Sequence, residues 1–470
     1  MSTLERVSTD LIAARERRAT GLPPRPVEEK AHWATRRLRS PWTWLLLVAT
    51  LVYAACLVWM YLTTTAPMET QEGGEIPGLN WAAIRRAAGL AAPTLAVWAV
   101  LFVWLDRFRP ARLTLWYLAL GWGAAVSTAA SMLINTWAGE HMAIAGNGDP
   151  ASGARAAVFV APFVEEATKA TVLFWIAIAL RNRVVSRLQA VTLAGLSAAG
   201  FAFTENILYY SRVIVYASMT IETGDPEEAL NQIVLLRGVF TAFGHPLFTT
   251  LTAFGVITAL RTRSKVVRVI APLCGYLAAA LAHMMFNFLA SSGMDSTYMA
   301  IAGWLATLGV VFLLLRTIFG EGRRHRERLA DYVRMGWLPE ADVRAFSRQR
   351  TRWGAVLTSI TYGWRTFVAT IAMQRTLSEL VYLRDAEVRG LVDAAGHARE
   401  RELLDRAHEL RALAIVDPRT QKIQLPQLPA GWRIRRRDRS PEQVPVGVGA
   451  APLGSPQYSP VDPRWGPPKG

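Results

Sequence analysis

Cysteine and charge are both scarce in this sequence. Only two cysteines, Cys56 and Cys274, occur among 470 residues. Both lie inside apolar runs, so the sequence predicts neither a disulfide framework nor a cysteine-based metal site. Charged residues make up 19% of the chain, hydrophobic residues make up 52%, and the mean hydropathy is +0.20. This composition is too apolar for an ordinary soluble protein of this length and favours a membrane protein.

The N-terminal region lacks the short apolar segment and the small-residue cleavage site of a signal peptide, so we expect no cleaved leader. The formal net charge is +16, but the arginines cluster between apolar runs and near both ends of the chain. That distribution favours lipid headgroups over nucleic acid. We therefore predict the lipid bilayer as a partner and no nucleic-acid binding.

About eight apolar runs are long enough to cross a bilayer, because about 20 residues rising about 1.5 Å each cover about 30 Å of hydrocarbon. They are residues 42–62, 87–105, 113–138, 154–180, 191–216, 233–260, 266–290 and 298–319. Basic loops alternate with acidic or neutral ones, and both ends of the bundle are basic. By the positive-inside rule, both termini face the cytoplasm. The predicted fold is an all-α polytopic transmembrane helix bundle in the cell membrane.

Composition divides the chain into four segments. Residues 1–41 form a basic cytoplasmic arm, and residues 42–319 form the transmembrane bundle. Residues 320–423 are rich in Arg, Glu, Ala and Leu at helical spacing, which predicts a helical cytoplasmic region that lies on the membrane or on a cytoplasmic partner. Residues 424–470 are rich in proline and glycine, which predicts a disordered tail.

Four consecutive central runs carry polar side chains, which are costly inside a membrane and usually pair, face the bundle interior or mark function. The candidates are Glu165, Glu166, Lys169, Glu205, His245, His283 and Asn287. Counted from the outer end of each run at about 1.5 Å per residue, the carboxylates and imidazoles lie roughly 10 to 18 Å deep, so we expect one shared layer. The alternative for each is an internal ion pair or a hydrogen-bonded packing residue.

Spacing along the helices predicts local partners. Lys169 follows Glu165 by four residues and Glu166 by three, so its ammonium can neutralise either carboxylate on that face. Asn287 follows His283 by four residues, so its amide can fix the imidazole tautomer or hold a substrate carbonyl. A proline directly after His245 predicts a weakened helix at that point.

The motifs Glu-Glu-x-x-Lys at 165–169, Phe-x-x-x-Glu-Asn at 201–206 and His-x-x-x-Asn at 283–287, with His245 between the last two, occur in one order. This order resembles the PrsW family of intramembrane proteases and, more distantly, the CAAX-prenyl-protease and bacteriocin-processing group. The resemblance implies that residues 154–290 are the catalytic core of an intramembrane endopeptidase. It implies a membrane-bound protein substrate, such as an anti-sigma-factor-like regulator. Lys169 and Glu205 depart from the prenyl-protease pattern, which argues against prenylated substrates.

One mechanism consistent with the resemblance uses no metal. Glu165 activates water, and Glu166 and Lys169 form its supporting shell. The groups that serve the oxyanion and the leaving amine come from later spans and are His245, His283 and Asn287.

The other mechanism uses Zn²⁺, because PrsW-like proteins are commonly labelled metalloproteases. Glu205, His245 and His283 then hold the metal, and Glu165 is the general base. The sequence has no His-Glu-x-x-His signature that would decide between the two mechanisms. Rival functions from other classes are a proton- or ion-coupled transporter and a non-catalytic membrane scaffold.

Overall fold

The computed structural model describes residues 38–69, 74–106, 111–141, 156–179, 186–217, 225–291, 296–392 and 394–420. Regular structure in these residues is helical apart from a two-residue antiparallel ladder between β1 (Met68–Glu69) and β2 (Glu75–Ile76). The all-α prediction is therefore confirmed. The predicted basic arm up to residue 37 and the predicted disordered tail 424–470 lie outside the described residues.

The chain divides into two compact units, and the predicted apolar runs fall in the unit Val27–Ile318 except for Phe319, the last residue of the eighth run. Its main helices are α1 (Pro41–Thr65), α2 (Trp81–Leu105), α3 (Leu113–Gly121), α4 (Thr128–His141), α5 (Ala161–Ala179), α6 (Arg187–Tyr216), α7 (Pro226–Leu235), α8 (Gly244–Leu260), α9 (Lys265–Ser291) and the first part of α10 (Ser296–Arg334). Two π-helical segments interrupt this series: π1 (Trp122–Ser127) joins α3 to α4, and π2 (Leu236–Phe240) follows α7.

Six helical stretches are long and apolar enough to cross a membrane, judged by length and composition. They are Pro41–Thr65, Trp81–Leu105, Leu113–Ala138, Arg187–Tyr216, Pro226–Leu260 and Lys265–Ala290. Each overlaps a predicted span, so the polytopic bundle is confirmed. The fourth predicted run forms α5, whose 19 residues include three charged ones. The eighth lies within α10, where several side chains are not described, so the count of eight stays a prediction.

Helix α6 lies at the centre of the membrane unit and packs against α2, α5, α8 and π1. Leu173 of α5 and Leu193 of α6 share one buried apolar core. The backbones of π1 and α6 touch, because a Cβ at Gly123 would lie 1.7 Å from the carbonyl oxygen of Ser197. The Ser197 hydroxyl donates a 2.9 Å hydrogen bond to the carbonyl of Lys169, which fixes α5 beside α6.

The sixth predicted span is not one regular helix. It begins as α7, widens into π2, turns at residues 241–243 and restarts as α8 at Gly244. Pro246 therefore lies in the first turn of α8, where a missing backbone N–H breaks no helical hydrogen bond. The expected weakening is a complete break, and it places His245 at the start of a helix.

The second unit contains the described residues from Phe319 onward. After the end of α10, its helices are α11 (Glu340–Ser347), α12 (Gln349–Thr361), α13 (Trp364–Val388) and α14 (Ala394–Arg411). They enclose a separate core that includes Tyr332, Phe346 and Leu403. The predicted helical character of residues 320–423 is thus confirmed as far as residue 420.

Candidate active site

Polar side chains from four helices of the membrane unit meet in one cluster. Helix α5 contributes three of them, and α6, α8 and α9 contribute one each: Glu165, Glu166, Lys169, Glu205, His245 and His283. Residues far apart in sequence are therefore brought into contact inside the bundle.

Lys169 lies at the centre of this cluster and is fully buried. Its Nζ lies 3.2 Å from Glu165 Oε2, 3.0 Å from Glu166 Oε1 and 2.8 Å from His245 Nδ1. The same ammonium lies 4.1 Å from the centre of the Phe201 ring, a cation–π distance. These contacts compensate a charge that would otherwise be too costly to bury.

Each imidazole of the cluster is paired with a carboxylate of another helix. His245 Nε2 lies 2.8 Å from Glu205 Oε2, and His283 Nδ1 lies 3.2 Å from Glu166 Oε1. Because an ionised carboxylate only accepts hydrogen bonds, the ring nitrogen that faces it carries the proton. In neutral rings, His245 Nδ1 and His283 Nε2 are then the nitrogens without a proton, and Nδ1 of His245 faces Lys169 Nζ at 2.8 Å. Carboxylates orient metal-binding histidines in this way.

Glu165 lies between those two nitrogens. Its Oε2 is 4.0 Å from His245 Nδ1 and 4.0 Å from His283 Nε2. One donor atom from each of the three residues lies within 4.8 Å of the other two. Two imidazoles and one carboxylate are a donor set that catalytic zinc uses.

A cavity of about 340 Å³ borders the cluster. The cluster residues that line it are Glu165, Glu205, His245 and His283. Glu166 and Lys169 are fully buried and are not part of its wall. Glu165, Glu205, His245 and His283 are therefore accessible from the cavity, whereas Glu166 and Lys169 lie behind them.

Comparison with known proteins identifies this region. Residues 109–316 match the family model described as PrsW family intramembrane metalloprotease. The membrane region belongs to the PrsW family. No curated protein and no solved structure matches the chain.

PrsW membership makes this protein an intramembrane endopeptidase, a hydrolase that acts in proteolysis within the membrane. Its surroundings are the lipid bilayer and its substrate is a membrane protein. The family description as a metalloprotease implies a metal. The match does not favour the transporter and scaffold alternatives.

The metal set gathered by the structure differs by one residue from the set predicted for a PrsW zinc site. Glu165, and not Glu205, groups with His245 and His283 among the described residues. Glu205 Oε2 instead contacts both His245 Nε2 and Arg237 Nη2, at 2.8 and 2.7 Å. Glu205 therefore lies on the far side of the His245 ring from Glu165.

Glu165, His245 and His283 fit a divalent metal if their donor atoms move slightly closer together. Bonds of about 2.0–2.2 Å in a tetrahedral zinc site separate the ligand atoms by about 3.3 Å, compared with the 4.0 Å distances observed from Glu165. Lys169 Nζ faces the same nitrogen of His245. A metal bound to His245 Nδ1 would have to displace the Lys169 ammonium from that nitrogen.

Sequence reasoning missed Arg237, which lies in π2. Its Nη2 donates to Glu205 Oε2 at 2.7 Å, and its Nε donates to Asn206 Oδ1 at 3.0 Å. Glu205 has no basic neighbour in sequence, and the structure supplies one from another helix. An arginine inside a predicted span was the available signal, because such residues are rare and usually functional.

Two further contacts complete the description of this PrsW site. Thr249, one turn after His245, donates a 2.7 Å hydrogen bond to Glu166 Oε2. Asn287 lines the cavity, and its Nδ2 donates to the carbonyl of Ala157 at 2.8 Å. The carboxylate of Glu166, rather than the Asn287 amide, faces the ring of His283.

Proposed function

We propose that Glu165, His245 and His283 form the reacting centre of this intramembrane protease and hold Zn²⁺. The observation that carries the proposal is the position of Glu165 Oε2, 4.0 Å from His245 Nδ1, 4.0 Å from His283 Nε2 and beside the cavity. A zinc ion with an open position lowers the pKa of a bound water and polarises a carbonyl, which is the chemistry that peptide hydrolysis needs.

The surrounding residues hold the three ligands in position. Glu205 accepts a hydrogen bond from Nε2–H of His245, and Glu166 accepts one from Nδ1–H of His283. The other nitrogen of each ring then faces Glu165. Lys169 balances the charge of the α5 carboxylates, and Arg237 balances the charge of Glu205. These residues are positioning residues, because they act through the histidines and Glu165.

A second candidate mechanism needs no metal. The 2.8 Å contact between Lys169 Nζ and His245 Nδ1 favours it, because that nitrogen already has a donor. Glu165 would then activate the attacking water at the cavity wall, and Glu166 and Lys169 would support it. The imidazoles would serve the oxyanion and the leaving amine.

The substrate we propose is a membrane-bound protein such as an anti-sigma-factor-like regulator. The four cluster residues that line the cavity lie on helices of the membrane unit, so the scissile segment must reach the cavity from within or beside the bilayer. Loop charges support an orientation with both termini in the cytoplasm of a cell membrane. Residues 320–423 would then be available to a cytoplasmic partner.

The direct test uses purified protein in liposomes with a panel of single-span substrates. Mass spectrometry should find new peptide termini with the parent protein and none with Glu165→Gln. Glu228→Gln is the matched control, because Glu228 lies on the exposed face of α7 away from the cavity. Ion flux without new termini would contradict the proposal.

A further inference from the structure

Three side chains of the second unit, outside the active site, bring donor atoms together. Glu387 lies near the end of α13, and His397 and Glu400 lie one turn apart on α14. One donor atom from each lies within 4.8 Å of the other two. The turn between the helices contains Gly390 with a φ of 63°, a left-handed conformation that favours glycine.

Two of these donor atoms lack a hydrogen-bond partner although they are buried. They are Glu387 Oε1 and His397 Nδ1, which lie 3.6 Å apart. That separation is too long for a hydrogen bond and close to the roughly 3.3 Å between two ligands of a tetrahedral zinc ion. The Glu387 side chain is only 6% exposed. A buried polar atom without a partner is uncommon and needs a physical explanation.

Neighbouring side chains hold one oxygen of each carboxylate. Arg384 Nη1 donates to Glu387 Oε2 at 2.5 Å, and the Tyr332 hydroxyl donates to Glu400 Oε1. Metal-binding carboxylates are commonly fixed by hydrogen bonds of this kind. The His397 side chain is 38% exposed, which gives an ion access from solvent.

We propose that Glu387, His397 and Glu400 bind a divalent cation of the zinc class, which fastens α14 to α13. An imidazole nitrogen with two carboxylate oxygens suits zinc, and one water would complete a tetrahedral set. This site is separate from the proposed active site in sequence, and it has one histidine and two carboxylates in place of two histidines and one carboxylate. It gives the second unit a structural metal of its own.

Zinc binding to the full-length protein in detergent tests the proposal. The titration is done on His283→Ala protein, so that the proposed active-site metal contributes little. Adding His397→Ala should remove one equivalent of bound zinc. His408→Ala is the matched control, because His408 lies on the exposed face of the same helix, and it should leave zinc binding unchanged.

Hydrogen exchange gives a second measurement that does not depend on the active site. Zinc at about ten times its dissociation constant should slow exchange in residues 380–404 about tenfold, because binding to the closed form reduces opening by that factor. Glu387→Gln should abolish the slowing in protein that is otherwise folded. Equal zinc binding by His397→Ala protein, or folded parent protein without slowed exchange, would overturn the proposal.

Discussion

Replacing Arg237 with glutamine tests whether the network behind the histidines supports catalysis. The change removes a 2.7 Å charged hydrogen bond to Glu205 and a 3.0 Å hydrogen bond to Asn206. The glutamate loses its cation but keeps His245 as a hydrogen-bond donor. We therefore expect His245 to be held less firmly, while its helix remains in place.

The size of the effect follows from burial. The side chains of Arg237 and Glu205 are 22% and 17% exposed. A hydrogen bond to a charged group contributes about 1.5–3 kcal/mol, and breaking a buried ion pair costs about 3–5 kcal/mol. Because Glu205 keeps His245 as a hydrogen-bond donor, we expect a loss in the range of a single charged hydrogen bond, about 2 kcal/mol. If that loss falls on the transition state, kcat decreases about 30-fold.

Cleavage of a reconstituted single-span substrate measures this loss. Arg86→Gln is the matched control, since it breaks a 2.6 Å ion pair with Glu227 whose side chains are 48% and 59% exposed. That pair is exposed, so activity should stay near the parent value. The loss from Arg237→Gln should overlap with the loss from Glu205→Gln, because the two residues act together. An Arg237→Gln variant that keeps more than half of the parent activity, or losses that multiply in the double variant, would refute the reasoning.

Three other predictions concern the fold, acid stability and topology. Gly123→Ala should prevent π1 from packing on α6 and lower thermal stability, whereas Gly89→Ala, which meets no atom within 4 Å, should not. Burial, and next the charge of a nearby arginine, lower the pKa of His325 to about 3. Between pH 6.5 and 3 the unfolded protein therefore binds more protons at His325 than the folded protein does. Hydrogen exchange should show the free energy of unfolding of the second unit falling by up to about 1.4 kcal/mol per pH unit in this range. His325→Gln should reduce this pH dependence. Accessibility tags inserted at 218–224 should report the outside, and tags at 261–264 should report the cytoplasm.

Helical periodicity explains what the sequence could predict. Lys169 follows Glu166 by three residues and Glu165 by four, so a single helix is enough to bring its ammonium to both carboxylates. The apolar runs likewise predicted six stretches that the structure supports as membrane-spanning candidates. Depth in the membrane suggested a shared layer for the polar groups of four helices, because a helix rises by a constant amount per residue.

Contacts between helices were harder to predict, because they depend on the rotation and spacing of each helix. Arg237 reaches Glu205 only because π2 and the following turn interrupt the sixth predicted span. The proposed metal set depends on which ring nitrogen of His245 each carboxylate approaches. Sequence spacing places Glu205 and Glu165 at similar depth and cannot show which of the two nitrogens each one approaches.

Metal content measured together with cleavage tests the central claim most directly. Glu165→Gln, His245→Ala and His283→Ala should each remove one equivalent of zinc and lower cleavage about a thousandfold or more. Any pair of these changes should add little, because residues that act as one unit are non-additive. Folded single variants that keep the full zinc content, with cleavage losses that multiply in the pairs, would show that the three residues do not form one reacting centre.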